Sequence, residues 1–251
     1  MGSLSVVIIT YNEEANALDC LESCSFADEI VVVDSFSTDR TVELCRRYTD
    51  RVIQEKWRGF GLQKNFAIDQ AKGPWIFNLD ADERITPGLR AEIESIVEAD
   101  ALEPAGYYVA RQNFFGERWV RHCGWYPDHN LRLFRKGMGR FNERAVHESV
   151  ELVNSARAGY LDNPIEHHTY ASISDFMQRL ERYTTLAAEE AHKAGKRCTM
   201  ADLTFRPAFT FLKMYLLRKG FLEGSLGFTL SGLYATYTFV KYAKLREMGK
   251  S

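Results

Sequence analysis

The sequence predicts an α/β protein with a mainly parallel sheet flanked by helices, followed by a helical C-terminal extension. Three observations predict it. Strand-like and helix-like segments alternate through the first hundred residues, which implies βαβ units. The strand-like segments there are continuous apolar runs, as strands covered on both faces require. After Ala105 the alternation gives way to aromatic and charged loops, and after Ser174 the pattern is helical.

Leu4 to Ile9 (LSVVII) is the first buried strand, and Asn12 in the polar stretch after it is a candidate N-cap for a helix reaching about Cys24. Glu29 to Val33 (EIVVV) is the second strand. A polar turn, Asp34 to Asp39, leads into a helix expected from Thr38 to Tyr48 with Ser37 as its cap. Arg51 to Gln54 reads as a short strand. Gly59 to Ala71 reads as a helix stopped by Gly73-Pro74. Trp75 to Leu79 (WIFNL) is a strand ending at Asp80-Ala81-Asp82-Glu83, and Pro87 opens a helix to about Ala99. Gly106–Gln112 and Leu131–Arg135 look like strands. Ser174 to Ala194 is an amphipathic helix, and Arg206 to Leu245 is largely apolar, two helices joined near Gly220–Gly227. This places a first domain over residues 1–170 and a helical extension over 171–251.

The 251 residues carry 32 basic and 34 acidic side chains, so a general nucleic-acid-binding role is not expected. The charge is uneven. Residues 204–251 hold eight Lys/Arg against Glu223 and Glu247, a net of +6, together with ten aromatics. That combination fits an anionic surface as partner. Five cysteines without a CxxC give neither a zinc knuckle nor a disulfide framework. A strand begins almost at once, without an apolar leader, so the expected compartment is the cytoplasm.

In open parallel sheets, ligands bind beyond the carboxyl ends of the strands. Thr10–Glu14, Asp34–Asp39 and Asp80–Glu83 all stand at such ends. Two carboxylates about 4 Å apart repel by roughly 4 kcal/mol at an effective dielectric near 20. A divalent cation between Asp80 and Asp82 would relieve that, and hard oxygen ligands favour Mg²⁺ or Mn²⁺ over zinc. Asp34 and Glu13 are placed to accept hydrogen bonds from a nucleobase or ribose, and Lys64 to meet a diphosphate. The dinucleotide fingerprint GxGxxG and the Walker A pattern are both missing. His122, His129, His167 and His168 read as loop histidines. In an extended segment, His167 and His168 would point apart, so one zinc ion could not use both. Trp119, Trp125 and Tyr126 are either a platform for acceptor sugars or core.

LSVVIITYNEE, VVVDSFSTDRT, LQKNFAIDQAKGPWIFNLDADE and LRLFRKGMGRFNERAVHE resemble a family 2 glycosyltransferase of the GT-A fold over roughly residues 4–150. VDSFSTD, DADE, VHE and KGFLEGSLGF…KYAKL are similar to bacterial lipopolysaccharide core glycosyltransferases, of the type that adds β-glucose to inner-core heptose. The resemblance implies roles. Tyr11, Glu13 and Asp34 would hold the nucleoside of a nucleotide-sugar donor, with Thr10 and Ala81 in the same donor-binding set. Lys64 and Asn65 would lie near the diphosphate. Asp80 would face ribose and metal, and Asp82 the metal. Glu148 would be the general base, with Asp128 as its competitor, and His147 a further metal ligand or an orienting group. Ser35 stands where many members have a second Asp.

These roles describe an inverting, metal-dependent glycosyltransferase using Mg²⁺ or Mn²⁺. It would move glucose from a UDP-linked donor to a lipopolysaccharide core or other lipid-linked saccharide. Three alternatives share the donor site: a polyprenyl-phosphate glycosyltransferase, a non-catalytic sugar-nucleotide-binding protein, and a nucleotidyltransferase. Gly224 to Val240 is uncharged but diluted by glycines and hydroxyls, short of the roughly 20 apolar residues a spanning helix needs. Basic residues bracketing aromatics instead fit a peripheral segment on an anionic membrane, here the inner face of the bacterial inner membrane.

Overall fold

The computed structural model describes residues 2–142 and 148–249. In chain order the strands are β1 (Leu4–Thr10), β2 (Glu29–Asp34), β3 (Val52–Gln54), β4 (Trp75–Asp80), β5 (Glu83–Ile85), β6 (Gly106–Phe115), β7 (Arg118–Trp119), β8 (His129–Arg135), β9 (Gly139–Phe141), β10 (Val150–Leu152), β11 (Ala158–Tyr160) and β12 (Ile165–Tyr170). The helices are α1 (Ala17–Ser23), α2 (Thr41–Cys45), α3 (Phe60–Gln70), α4 (Pro87–Ala99), α5 (Ile173–Lys193), α6 (Met200–Leu212) and α7 (Ser225–Met248). The described chain forms two compact units. One runs to Arg111 and resumes over Asp128–His167; the other holds Gln112–Pro127 and the chain from His168.

In the first unit β1 lies between β2 and β4, parallel to both, and β3 extends the sheet beyond β2, again parallel. β8 then adds antiparallel to β4, and β6 antiparallel to β8. Residue parity along the strands separates two cores, as the period of two requires. Val6, Ile8, Val32, Trp75, Phe77 and Leu79 face Cys20 and Leu21 of α1 and Leu89 and Ile93 of α4. Val7, Val31, Val33 and Ile76 face Ala67 and Ile68 of α3. Both faces are covered, which is why these strands are apolar without alternation.

Two helices start later than local signals predict. Asn12 has a left-handed backbone (φ 55°) and bridges two loops: its N–H donates to Ser37 Oγ at 2.8 Å, and its Oδ1 accepts from the Thr38 N–H at 2.8 Å. It is therefore not an N-cap, and α1 begins only at Ala17. Asp34 and Asp39 accept the N–H groups of Ser37 and Thr41, which holds residues 34–40 as a loop and leaves α2 only Thr41–Cys45. Asp34 thus pins the turn from which Ser37 was expected to cap the helix.

In the second unit α6 and α7 are joined through one wide helical turn, Lys213–Leu217, and a tight one, Gly220–Glu223. The break falls where expected, although α6 begins at Met200 and not at Arg206. Gly220 and Gly227 sit backbone to backbone; a Cβ on Gly227 would lie 1.8 Å from the Gly220 carbonyl oxygen. Val120, Cys123, Trp125, Met214 and Leu230 form this unit's core, so Trp125 is core and not a sugar platform. Glu223 is one of its buried carboxylates, Asp202 being another. It accepts the N–H groups of Arg121 and His122, both at 3.0 Å, and meets His122 Nδ1 at 2.7 Å. These contacts hold its carboxyl below the usual range, although burial alone pushes the other way. Among the described residues no helix is long and apolar enough to cross a membrane.

Candidate active site

The parallel register brings the three polar strand ends together. Thr10 pairs with Asp34 across β1 and β2, and Ile9 with Asp80 across β1 and β4. Asp34 is fully buried. Its carboxylate accepts from Thr10 Oγ1 at 3.0 Å, from the Ser37 N–H at 2.8 Å, and from the Ser37 hydroxyl. It therefore shapes the loop whose surface includes the exposed ring of Phe36. Tyr11 is 56% exposed above the end of β1. Glu13 bonds Asn16 Nδ2 at 2.9 Å, and its N–H donates to Thr41 Oγ1 at 2.8 Å.

Lys64 is the centre of the cluster. It sits on the buried side of α3, and its ammonium lies 2.8 Å from Asp80 Oδ1 and 3.1 Å from Glu148 Oε1. Burial pulls the Lys64 pKa down, but Asp80 and Glu148 more than offset that and the net direction is up. The other oxygen of Asp80 meets the buried guanidinium of Arg132, Oδ2 to NH2, at 2.9 Å. Burial alone would push the Asp80 carboxyl up; Lys64 and Arg132 bring it well below the usual carboxylate range. Arg132 also grips Glu83, which is fully buried and whose Oε2 accepts the Asp80 N–H at 3.0 Å. For Glu83 the balance tips the other way: burial and the nearby Asp80 charge outweigh the cations and raise it.

Several residues have tasks that sequence did not assign. Asn65 was expected beside a diphosphate, yet its amide is taken by the backbone of Phe141, donating to the carbonyl and accepting from the N–H, each at 2.9 Å. The reason is that α3 packs this face against β9. Gly61 allows the approach, since a Cβ there would lie 2.2 Å from the Asn142 carbonyl oxygen. Asn65 thus anchors the strand that leads toward Glu148. Ala81 is buried, and its carbonyl accepts from Arg84 NH1 at 3.0 Å. His147 lies outside the described residues. Asp128, the competing base, is tied to Arg111 Nε at 2.9 Å. His167 and His168 are strand residues of β12 and do diverge: His167 Nε2 lies 3.4 Å from Asp82 Oδ2, while His168 stacks on Phe114 at 5.3 Å. His129 opens β8 and packs edge-on to Tyr160, so it too is not a loop residue.

Arg132, Glu83 and His167 escaped the sequence reading. Arg132 was one charge inside LRLFR, Glu83 an acid just past DAD, and His167 one of a histidine pair read as loop. Which of these residues could hold a divalent ion follows from their partners. Both Asp80 oxygens are engaged by cations, so Asp80 is a poor ligand in this arrangement. Asp82 and His167 offer one carboxylate and one imidazole, each partly exposed. Among the described residues no group of three or more His, Cys, Asp or Glu could hold a metal. A carboxylate with one further donor nevertheless fits an ion that takes most of its ligands from water and substrate phosphates.

Charged side chains gathered at the carboxyl ends of a parallel sheet define a site for a polar, charged cosubstrate. Residues 5–154 match glycosyl transferase family 2. The lipopolysaccharide core biosynthesis glycosyltransferase LpsC of Rhizobium meliloti is 36% identical over 97% of this chain and 92% of its own length. An uncharacterised glycosyltransferase of Rickettsia typhi is 32% identical over 99% of this chain and 88% of its own. Among solved structures, the mannosyltransferase PcManGT of Pyrobaculum calidifontis, in complex with GDP-Man and Mn²⁺, aligns with a TM-score of 0.55 at 15% identity, covering all of this chain and 88% of that one. The chain belongs to glycosyl transferase family 2. It is a glycosyltransferase with the GT-A fold.

Proposed function

We propose that this enzyme is an inverting, metal-dependent glycosyltransferase moving glucose from a UDP-linked donor to a lipopolysaccharide core or other lipid-linked saccharide at the inner face of the bacterial inner membrane. The observation that carries the reading is Lys64, whose ammonium lies within 3.1 Å of both Asp80 and Glu148. This contact supports Glu148 as the base, next to the acidic strand end at which the donor would lie. Similarity to LpsC supports the acceptor class.

In this mechanism the acceptor hydroxyl attacks the anomeric carbon as the bond to the diphosphate breaks. Glu148 accepts the hydroxyl proton. Lys64 holds the Glu148 carboxylate in position and adds positive charge close to the departing diphosphate. Tyr11 and the Asp34 loop form the wall for the nucleoside. Asp82 and His167 would hold the ion, which when bound supplies charge neutralisation at the leaving group. One displacement inverts the centre, so an α-linked donor yields a β-linked product.

Calorimetric titration with UDP, GDP, CDP and TDP, each with Mn²⁺ and with chelator, tests the donor assignment. Selective UDP binding should depend on Mn²⁺ and weaken at least tenfold in Asp82→Ala. Binding of none of the four nucleotides would overturn the proposal, and selectivity for another would replace the donor.

A further inference from the structure

The second unit carries a surface that the transfer reaction does not use. Phe205, Phe209, Leu212 and Leu216 recur every three or four residues along α6 and the turn after it, which places them on one face. They are 75%, 59%, 49% and 51% exposed. Leu217, Phe221, Leu222 and Phe228 continue the exposed apolar surface through the connection into α7. Monomeric proteins rarely leave so many large side chains in water without a partner.

Beside this face, α6 and α7 enclose a groove of about 480 Å³ lined by Phe205, Arg206, Phe209, Tyr237, Lys241 and Tyr242, among others. Thr210 and Thr238 touch through their hydroxyls at 3.2 Å and tie its two walls. Its cations are arranged around one ring. The Arg206 guanidinium lies 5.1 Å from the Tyr242 centroid and the Lys241 ammonium 5.6 Å from it. Asp202 holds one edge of Arg206. Lys244 is paired with Glu181, but among the described residues no ion pair involves Lys213, Arg218, Lys219 or Lys241.

From these features we infer that the α6–α7 groove and the adjoining α6 face dock on an anionic bilayer. The phosphate of an acidic phospholipid is held by Lys241 and Arg206, and Phe205 and Phe209 enter the acyl region. Charge complementarity selects this occupant. Residues 204–251 carry a net +6, so a second copy offering the same face would be repelled, whereas an acidic lipid surface attracts it. Aromatic side chains flanked by lysine and arginine suit the depth where headgroups meet acyl chains. With no described helix able to span, the contact lies on the membrane and does not cross it. The inference shares with the proposed function only the idea of a membrane-presented acceptor, and its test requires no donor.

Flotation of the full chain with vesicles of phosphatidylcholine alone, and of phosphatidylcholine with phosphatidylglycerol, reads the docking directly. The wild type should float only with the anionic vesicles. Lys241→Glu removes one positive charge and adds a negative one; at about a factor of five per charge, partition should fall roughly thirtyfold. Phe205→Ser with Phe209→Ser should abolish flotation. Lys56→Glu, an exposed charge change in the first unit, should leave it unaltered. Circular dichroism melting and UDP titration of each variant establish that folding and the donor site are intact. Wild-type protein staying in the supernatant, equal flotation with neutral vesicles, or Lys56→Glu matching Lys241→Glu would each overturn the inference. So would light scattering that shows a dimer dissolved by the phenylalanine variant, with vesicle binding unchanged.

Discussion

The two units treat charge in opposite ways. In the first, Arg132 and Lys64 are buried, and each is shared between two carboxylates: Asp80 and Glu83 for one, Asp80 and Glu148 for the other. In the second, Asp202 and Glu223 apart, the ionic residues lie near the surface, and Lys213, Arg218, Lys219 and Lys241 are among the cations that form no ion pair among the described residues. Buried charge is tolerated only when paired and hydrogen-bonded, so the first arrangement is rigid and intolerant of single deletions. Surface cations add little to stability but set attraction to an external anion. The contrast is the one expected between the proposed reaction site and the proposed docking surface.

The largest expected effect lies in the chemistry. Glu148→Gln keeps the shape of the side chain and removes the proposed base. Turnover with donor and acceptor should fall by about 10² to 10⁴-fold, while UDP affinity stays within a few fold. Transfer to a phosphate acceptor needs no strong base, so near-normal turnover in this variant would point to the polyprenyl-phosphate alternative.

Stability tests the contrast next. Arg132→Met leaves buried Glu83 and half-buried Asp80 beside one another with one fewer counter-charge, and should lose roughly 3–5 kcal/mol in urea unfolding. Lys241→Met should change stability by less than about 0.5 kcal/mol, as surface substitutions usually do. Equal losses would erase the distinction between the units. The acid limb gives the same information by another route. Asp80 is held below its unfolded value by Lys64 and Arg132 against the opposing pull of burial. Its contribution is therefore complete above the unfolded pKa, about 3.9, and is lost as pH falls toward the folded value. Asp80→Asn should shrink the fall in stability between pH 5 and pH 3; an unchanged fall would mean that Asp80 is not so coupled.

How legible each feature was depends on how local its cause is. The βαβ half could be read because each strand announces itself as an apolar run ending in polar residues, and a parallel register then brings those ends together. Asp80 was a candidate for that reason, whereas Lys64 stood on the helix before its strand and Glu148 was named only through the family resemblance. Arg132 looked like one more charge in LRLFR, because its partners lie about fifty residues back and only the antiparallel addition of β8 to β4 brings them near. Asn12 misled for the related reason that a capping signal is local, while its partners Ser37 and Thr38 sit on the next strand's loop. His167 needed the pairing of β12 with β5, which sets it opposite Glu83, before its neighbour Asp82 could be known.

The smallest effect compares two helix caps. Thr86 starts α4, its Oγ1 accepting the Leu89 N–H at 3.2 Å, and that helix buries Leu89, Ile93 and Val97. Thr199 starts α6 in a reciprocal box, with Asp202 Oδ2 accepting the Thr199 N–H at 2.8 Å, but the only side chain α6 fully buries is Asp202. Either threonine to alanine should remove about 1 kcal/mol locally. The loss is a small fraction of what holds α4 in place and a large fraction of what holds α6. Hydrogen exchange in the first turn should therefore quicken more in Thr199→Ala than in Thr86→Ala. Equal quickening would mean that α6 is anchored mainly by its packing against α7. The exposed phenylalanines of α6 would then stand on a frame as firm as that of the first unit, leaving charge as the difference between the two.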